Sequence, residues 1–417
     1  MEQRTTSSHA PAPPPDDGTT PWRLLALLMT MTAVGSMALN ILVPAVPRLA
    51  QALASDTDTV QLTVSLYVLG LACAQLVTGP LSDRFGRRPV ILSGFALATL
   101  ASLASIAMTN VYGLIVMRVL QALGGATGVA IGRAIIRDMF GRERSAQMIG
   151  LVASAMAIAP MISPLIGGVL ETLFGWQSIF LFAAVVSFVV FVWTWRTLPE
   201  TRSREAETVV QHAFFATISG LLKNPRFVGY ILSAALGSGA FFVYVGAGPH
   251  VIITMMERSP AEYGLWFIPT AGGYILGNYM TSRLAVRYGI ETTMWWGNLV
   301  NVGGALIGIA LLPWVDVIGP LVVVLPATIM GVGNGIILPN AIAGAVSIRP
   351  QVAGTASGFL GFTQMAFGAL TAQVAGQLVT GASSAMPMVL HFLAVGAGCM
   401  LVYVWLLRPH RGHKTSH

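Results

Sequence analysis

The sequence predicts an all-α membrane protein with twelve transmembrane helices, built as two pseudo-symmetric bundles of six. Three observations carry this expectation. Charged residues make up only 9% of the chain and hydrophobic ones 55%, whereas a soluble globular domain holds roughly 25% charged residues. At about 20 residues per span, the length allows roughly ten to thirteen crossings. Finally, the apolar runs fall into two groups of six. The first group lies near 22–47, 60–81, 89–109, 112–134, 145–170 and 176–196. After the polar stretch 197–224, the second lies near 226–249, 260–282, 291–312, 318–341, 353–379 and 386–407.

The expected organisation is a cytoplasmic tail (1–21), an N-terminal bundle (22–196), a cytoplasmic linker (197–224), a C-terminal bundle (225–407) and a second tail (408–417). The first tail is polar and proline-rich, without the basic start and small-residue cleavage site of a signal peptide, and reads as disordered. Of the 23 Lys and Arg residues, all but Arg48, Arg258 and the intramembrane Arg118 fall on one side of this arrangement. That asymmetry puts both termini in the cytoplasm. It also explains the net charge of +7 without nucleic acid as a partner. Cys73 and Cys399 both sit in apolar runs, without metal-ligand spacing, and read as small buried side chains. No His/Cys/Asp/Glu cluster has metal spacing, and no cofactor is expected.

Between the second and third spans lies GPLSDRFGRRPV, residues 79–90. Gly79 and Gly86 allow tight turns around Asp83, Arg84, Arg87 and Arg88, so the stretch reads as a short basic loop. A degraded copy, GNYMTSRLAVRYG at 277–289, follows the second span of the second half, with Ser282 near the place of the acid. Internal repeats of this kind occur in secondary transporters, which bind substrate between the repeats near the bilayer midplane.

The full pattern G-x-L-[ST]-D-R-x-G-R-R-P resembles the signature loop of the major facilitator superfamily. In the fifth span, Gly150, Ala159, Ser163, Pro164, Gly167 and Gly168 resemble the proline-glycine signature of drug antiporters. In the second half, Phe242-Val-Tyr244, Gly248-Pro249, Tyr263-Gly264, Leu338-Pro339-Asn340 and the stretch from Gly354 to Ser357 resemble the bicyclomycin/chloramphenicol-resistance (Bcr/CflA) branch. The resemblance covers residues 22–407. It implies a bacterial inner-membrane exporter of small amphipathic or drug-like molecules, driven by proton influx through rocker-switch alternating access. The branch also implies a monomer. The partners expected are a small-molecule substrate, protons and the lipid bilayer.

Several residues carry the expected chemistry. Asp83, with Arg84, Arg87, Arg88, Gly79 and Gly86, reads either as a positive-inside anchor or as a conformational latch. As a latch, the carboxylate would sit against the positive amino terminus of the eleventh helix, near Gly354. Arg118 lies two turns into the fourth span, where a charge is expensive unless paired or hydrated. Gln121 shares its face. The resemblance implies a role for Arg118 in substrate or proton coupling; the alternative is an arginine snorkelling toward the outer headgroups. Asn40 stands where members of the branch often carry an aspartate, and none of the 16 acids lies deep in a span. Proton coupling therefore has no obvious carboxylate. His391 and His250 titrate near neutrality and are candidates to replace it.

Gly124, Gly128 and Gly132 form a small-residue face on the fourth span that lets another backbone approach closely. Pro160, Pro164, Gly167 and Gly168 do the same for the fifth and permit a bend. Met37, Asn40, Arg118, Gln121, Phe241, Tyr244, Asn334 and Asn340 are the candidate cavity-lining residues. The rivals are a facilitator or metabolite exporter with lost or altered coupling, which Asn40 supports, and an integral-membrane enzyme or sensor. The second rival lacks the paired acids such enzymes need, so no enzymatic activity is expected.

Overall fold

The computed structural model describes residues 22–139, 152, 159–160, 162–201, 213–349 and 352–408. Among them there is helix and connecting loop, and no strand. The tails, residues 202–212 of the linker and most of the early part of the fifth span lie outside the described residues.

Twelve helices follow the expected runs: α1 (Trp22–Ala52, interrupted by a tight turn at Val43–Ala45), α2 (Thr57–Phe85), α3 (Arg87–Ile106), α4 (Val111–Met139), α5 (Ile162–Phe174), α6 (Trp176–Thr197), α7 (Pro225–Met255), α8 (Pro260–Tyr288), α9 (Ile290–Ile318), α10 (Leu321–Ile348), α11 (Ala353–Val379) and α12 (Met386–Leu407). A short helix, Ala213–Leu222, precedes α7. Nine helices among the described residues are long and apolar enough to cross a membrane. The described part of α5 is shorter. Helices α8 and α11, at 29 and 27 residues, are long enough but more polar, carrying Tyr274, Asn278, Arg283, Gln364 and Gln373. Both pack across the molecule rather than only against lipid.

The connections are shorter than the apolar runs suggested. The motif at 79–90 is helix throughout except at Gly86, whose φ of 100° lets α2 end and α3 begin within one residue. Its N–H donates to Ser82 O at 3.1 Å. Gly289, with φ 80° and an N–H to Ala285 O at 3.0 Å, joins α8 to α9 in the same way. The repeat visible in the sequence is thus a repeat of backbone geometry, resting on a conformation open mainly to glycine. Helix starts are set by ordinary capping. Asp56 caps α2, accepting from Thr59 N at 2.7 Å and Thr59 Oγ1 at 2.8 Å. Those bonds hold its carboxyl below the usual range. Ser259 and Glu262 form a capping box at α8, with Pro260 at the first helical position.

The two ends of the molecule differ. At the end that holds Asp56, a single hydrophobic core draws on both halves, from Leu42, Val64 and Leu114 to Val251, Phe267, Ala372 and Phe392. At the end that holds Gly86 there are two cores. One contains Leu28, Ile91, Phe95, Ile135 and Val190, and the other Phe227, Ile337, Ala345, Leu360 and Tyr403. Gly79, Gly132, Gly358 and Gly361, toward that second end, have nothing within 4 Å of where a Cβ would stand. The halves are therefore packed together at one end and apart at the other.

Candidate functional site

The largest fully buried side chain among the described residues is Arg118, held in a polar cage in the first half. The side chain is only 1% exposed. Its Nε donates to Thr63 O of α2 at 3.1 Å, and its Nη1 donates to Ala38 O of α1 at 3.0 Å and to Gln121 Oε1. The guanidinium lies 4.0 Å from the centroid of the Tyr67 ring, a cation–π contact. Gln121 passes the network to α3 through Ser102 Oγ at 2.7 Å, and Tyr67 Oη donates to Gly35 O at 3.0 Å. Arg118 thus ties α1, α2, α3 and α4 together, which excludes the snorkelling alternative. Its Nη2 has no hydrogen-bond partner.

Close backbone approach makes the cage possible. Gly125 meets Gly35 of α1, Gly124 meets Gly94 and Ala98 of α3, and Gly128 meets Met31 of α1. Gly132, the last member of the predicted glycine face, looks into open space.

Asn40 is buried in α1. Its Nδ2 donates to Ser36 O at 2.8 Å, one turn back, and its Oδ1 has no partner. Asn340 likewise donates to Ile336 O at 2.7 Å, and Asn334 Oδ1 is buried without a partner. Tyr244 is fully buried, stacked on Tyr263 with centroids 5.7 Å apart and close to Phe267. Phe241 is half-buried at the edge of that cluster, 5.2 Å from Phe242 and 6.0 Å from Phe267. Met37 is half-buried on α1. His391 Nδ1 is buried without a partner, and His250 opens the widened last turn of α7.

The closed end is sealed by glycine and by one polar bridge. A Cβ on Gly168 of α5 would run into Pro260 O of α8, and one on Gly264 of α8 would meet Pro164 and Leu165 of α5. Gly167 packs on Ile41 of α1. Pro164 is buried and Pro160 half-buried. Between α2 and α11, Ser65 Oγ donates to Gln373 Oε1 at 2.7 Å, and Gln373 Nε2 donates to Asp58 O at 3.0 Å. Ser65 and Gln373 were missed by sequence reasoning. Their only signal was a pair of polar side chains inside apolar runs.

At the other end the basic motif is bound by a residue the sequence reading passed over. Glu200, just after α6, accepts from Arg87 N at 2.8 Å and Arg88 N at 3.1 Å, capping α3 from a distance. Arg87 Nη1 donates to Ser82 Oγ at 2.6 Å and Arg88 Nη2 to Trp195 O at 2.6 Å, while Arg84 lies 5.3 Å from the Phe85 ring. The Asp83 side chain lies outside the described residues. The available signal for Glu200 was the first acid after an apolar run, in a chain where acids are few. Glu200→Ala is expected to lower stability by about 1–2 kcal/mol, as loss of a helix cap does, read by thermal unfolding in detergent. An unchanged melting temperature would mean that water replaces the cap at no loss.

Comparisons with known proteins agree with this architecture. The family model described as Major Facilitator Superfamily matches residues 28–372. The chain is 28% identical over 386 residues to "Multidrug resistance protein D" of Escherichia coli (strain K12), covering 92% of this chain and 95% of that one. It is also 28% identical to the "Bicyclomycin resistance protein homolog" of Haemophilus influenzae, covering 88% and 92%. Among solved structures, a D-xylose-proton symporter superposes with a TM-score of 0.76 at 11% identity, over 93% of this chain and 97% of that one. The last comparison bears on the fold alone. Twelve helices, the glycine-joined repeat and the family match lead to one conclusion: the chain belongs to the Major Facilitator Superfamily.

Proposed function

We propose that this transporter exports small amphipathic, drug-like molecules across the bacterial inner membrane by proton antiport, with rocker-switch alternating access. The observation that carries the reading is the asymmetry of the two ends, with one shared core at the Asp56 end and two separate cores at the Gly86 end. A carrier resting with one gate closed has this form. The Lys/Arg distribution supports a cytoplasmic Gly86 end and cytoplasmic termini, which on this reading makes the arrangement inward-open. Residues 22–196 and 225–407 are the bodies that rock, and 197–224 links them. In the opposite state the Asp83 motif meets the start of α11 and latches the cytoplasmic end. Arg118, Gln121 and Asn40 supply polar contacts to the cargo. The relatives named for multidrug and bicyclomycin resistance support drug-like cargo.

Asn40 favours a second reading, a facilitator or exporter without this proton step, because an amide does not titrate in the physiological range. Proton flux into and out of proteoliposomes, measured on adding drugs, separates the two. Antiport predicts drug-evoked proton movement in the native protein, diminished in His391→Ala if that histidine carries the proton. Drug transport without proton movement, with coupling appearing in Asn40→Asp, would overturn antiport and leave the facilitator.

A further inference from the structure

Among the described residues, the Arg118 cage lacks a counter-charge. No carboxylate among the described residues pairs with this guanidinium; its partners there are two backbone carbonyls, an amide oxygen and a ring face. The acids on the described helices sit within about a turn of a helix end: Asp58, Asp83, Asp138, Glu171, Glu262, Glu291 and Asp316. The described ion pairs Arg48–Glu171 (3.8 Å) and Arg226–Glu291 (3.6 Å) are of this peripheral kind. Asn40, two residues beyond the Ala38 carbonyl that Arg118 contacts, is an amide whose Oδ1 is itself unpartnered. A buried cation whose Nη2 has no acceptor is costly, and an anionic acceptor brought to it removes that penalty.

We propose that the transport site of this protein is an anion receptor, with Arg118 Nη2 taking a monovalent anion. The anion is either a carboxylate on the cargo itself or a free halide that accompanies a neutral cargo. Lipophilic cations are disfavoured, because the described residues present a positive charge there and no negative one. This rests on the export reading and specifies its cargo class.

The test uses three near-isosteric probes, 4-butylbenzoate, 4-butylbenzamide and 4-butylbenzamidine, titrated calorimetrically into the purified full-length protein. Titrations run in chloride and in gluconate, and resistance to chloramphenicol is scored separately in cells. The benzoate is expected to bind at least about tenfold more tightly than the benzamidine. Arg118→Gln should erase the preference, Arg118→Lys should keep its direction, and Asn40→Asp should weaken or reverse it. Benzamide binding that requires chloride, with no added benefit from the carboxylate, would support the free-halide form.

Benzamidine binding as tightly as benzoate would overturn the proposal, as would a preference that survives Arg118→Gln. If cells gain chloramphenicol resistance while the benzamidine is favoured, the export reading stands and the anion receptor falls. If no probe binds and no resistance is conferred, both fall.

Discussion

Gly264→Leu is expected to abolish transport by holding the closed end open. A Cβ on Gly264 would stand 2.5 Å from Leu165 Cα and 2.6 Å from Pro164 O, both part of α5 and neither able to swing aside as a flexible side chain would. Gly168 faces Pro260 of α8 in the reciprocal way, so the α5–α8 crossing has no slack from either helix. Overpacking of this kind costs about 1–3 kcal/mol, enough to shift a two-state equilibrium by roughly one to two orders of magnitude. The strain falls only on the state in which these backbones touch. The variant should therefore fold and accumulate with its Asp56 end parted. Cysteines introduced at Ser65 and Gln373, in a Cys73→Ser, Cys399→Ser background, report on that end. They should cross-link readily in the native sequence and poorly beside Gly264→Leu. Undiminished cross-linking and transport would show that the α5–α8 contact is not part of the seal.

Replacing Arg118 is expected to separate stability from function. Arg118→Ala leaves a large void among α1, α2 and α4 and should destabilise the protein by about 2–5 kcal/mol. Arg118→Met fills most of that volume and removes a buried charge that has no counter-ion among the described residues. Its stability should lie within about 1 kcal/mol of the native protein, or above it. Both variants should lose transport by at least about tenfold. Melting in detergent and uptake into inverted vesicles measure the two quantities independently. A stable, fully active Arg118→Met would reduce the arginine to a packing element and remove it from the transport site.

The membrane class, the two sets of six helices and the repeat at Gly86 and Gly289 were legible because each is written locally. Apolar length reports a span, and an isolated glycine between two runs reports a backbone that must reverse. The singular status of Arg118 was equally legible, since a charge inside an apolar run needs a physical explanation wherever the helix goes. Its partners were not. Thr63 and Ala38 contribute main-chain carbonyls, which carry no sequence signature, and Tyr67 looks like any aromatic facing lipid. Glu200 was overlooked for a related reason: it acts 113 positions away from Arg87, and nothing near either residue announces the other.

By itself, then, the sequence determined that this chain spans a membrane in twelve helices, which of its segments repeat, and which polar side chains the bilayer would not tolerate unpaired. Those are properties of a residue and its immediate neighbours in a low-dielectric solvent. Only the tertiary structure decided which end is closed, that glycines of α5 and α8 seal it, and that the Ser65–Gln373 bridge joins α2 to α11. It also decided that Arg118 is caged by carbonyls, an amide and a ring. Each of these depends on which helices meet and at what separation, and that is set by packing summed over both halves.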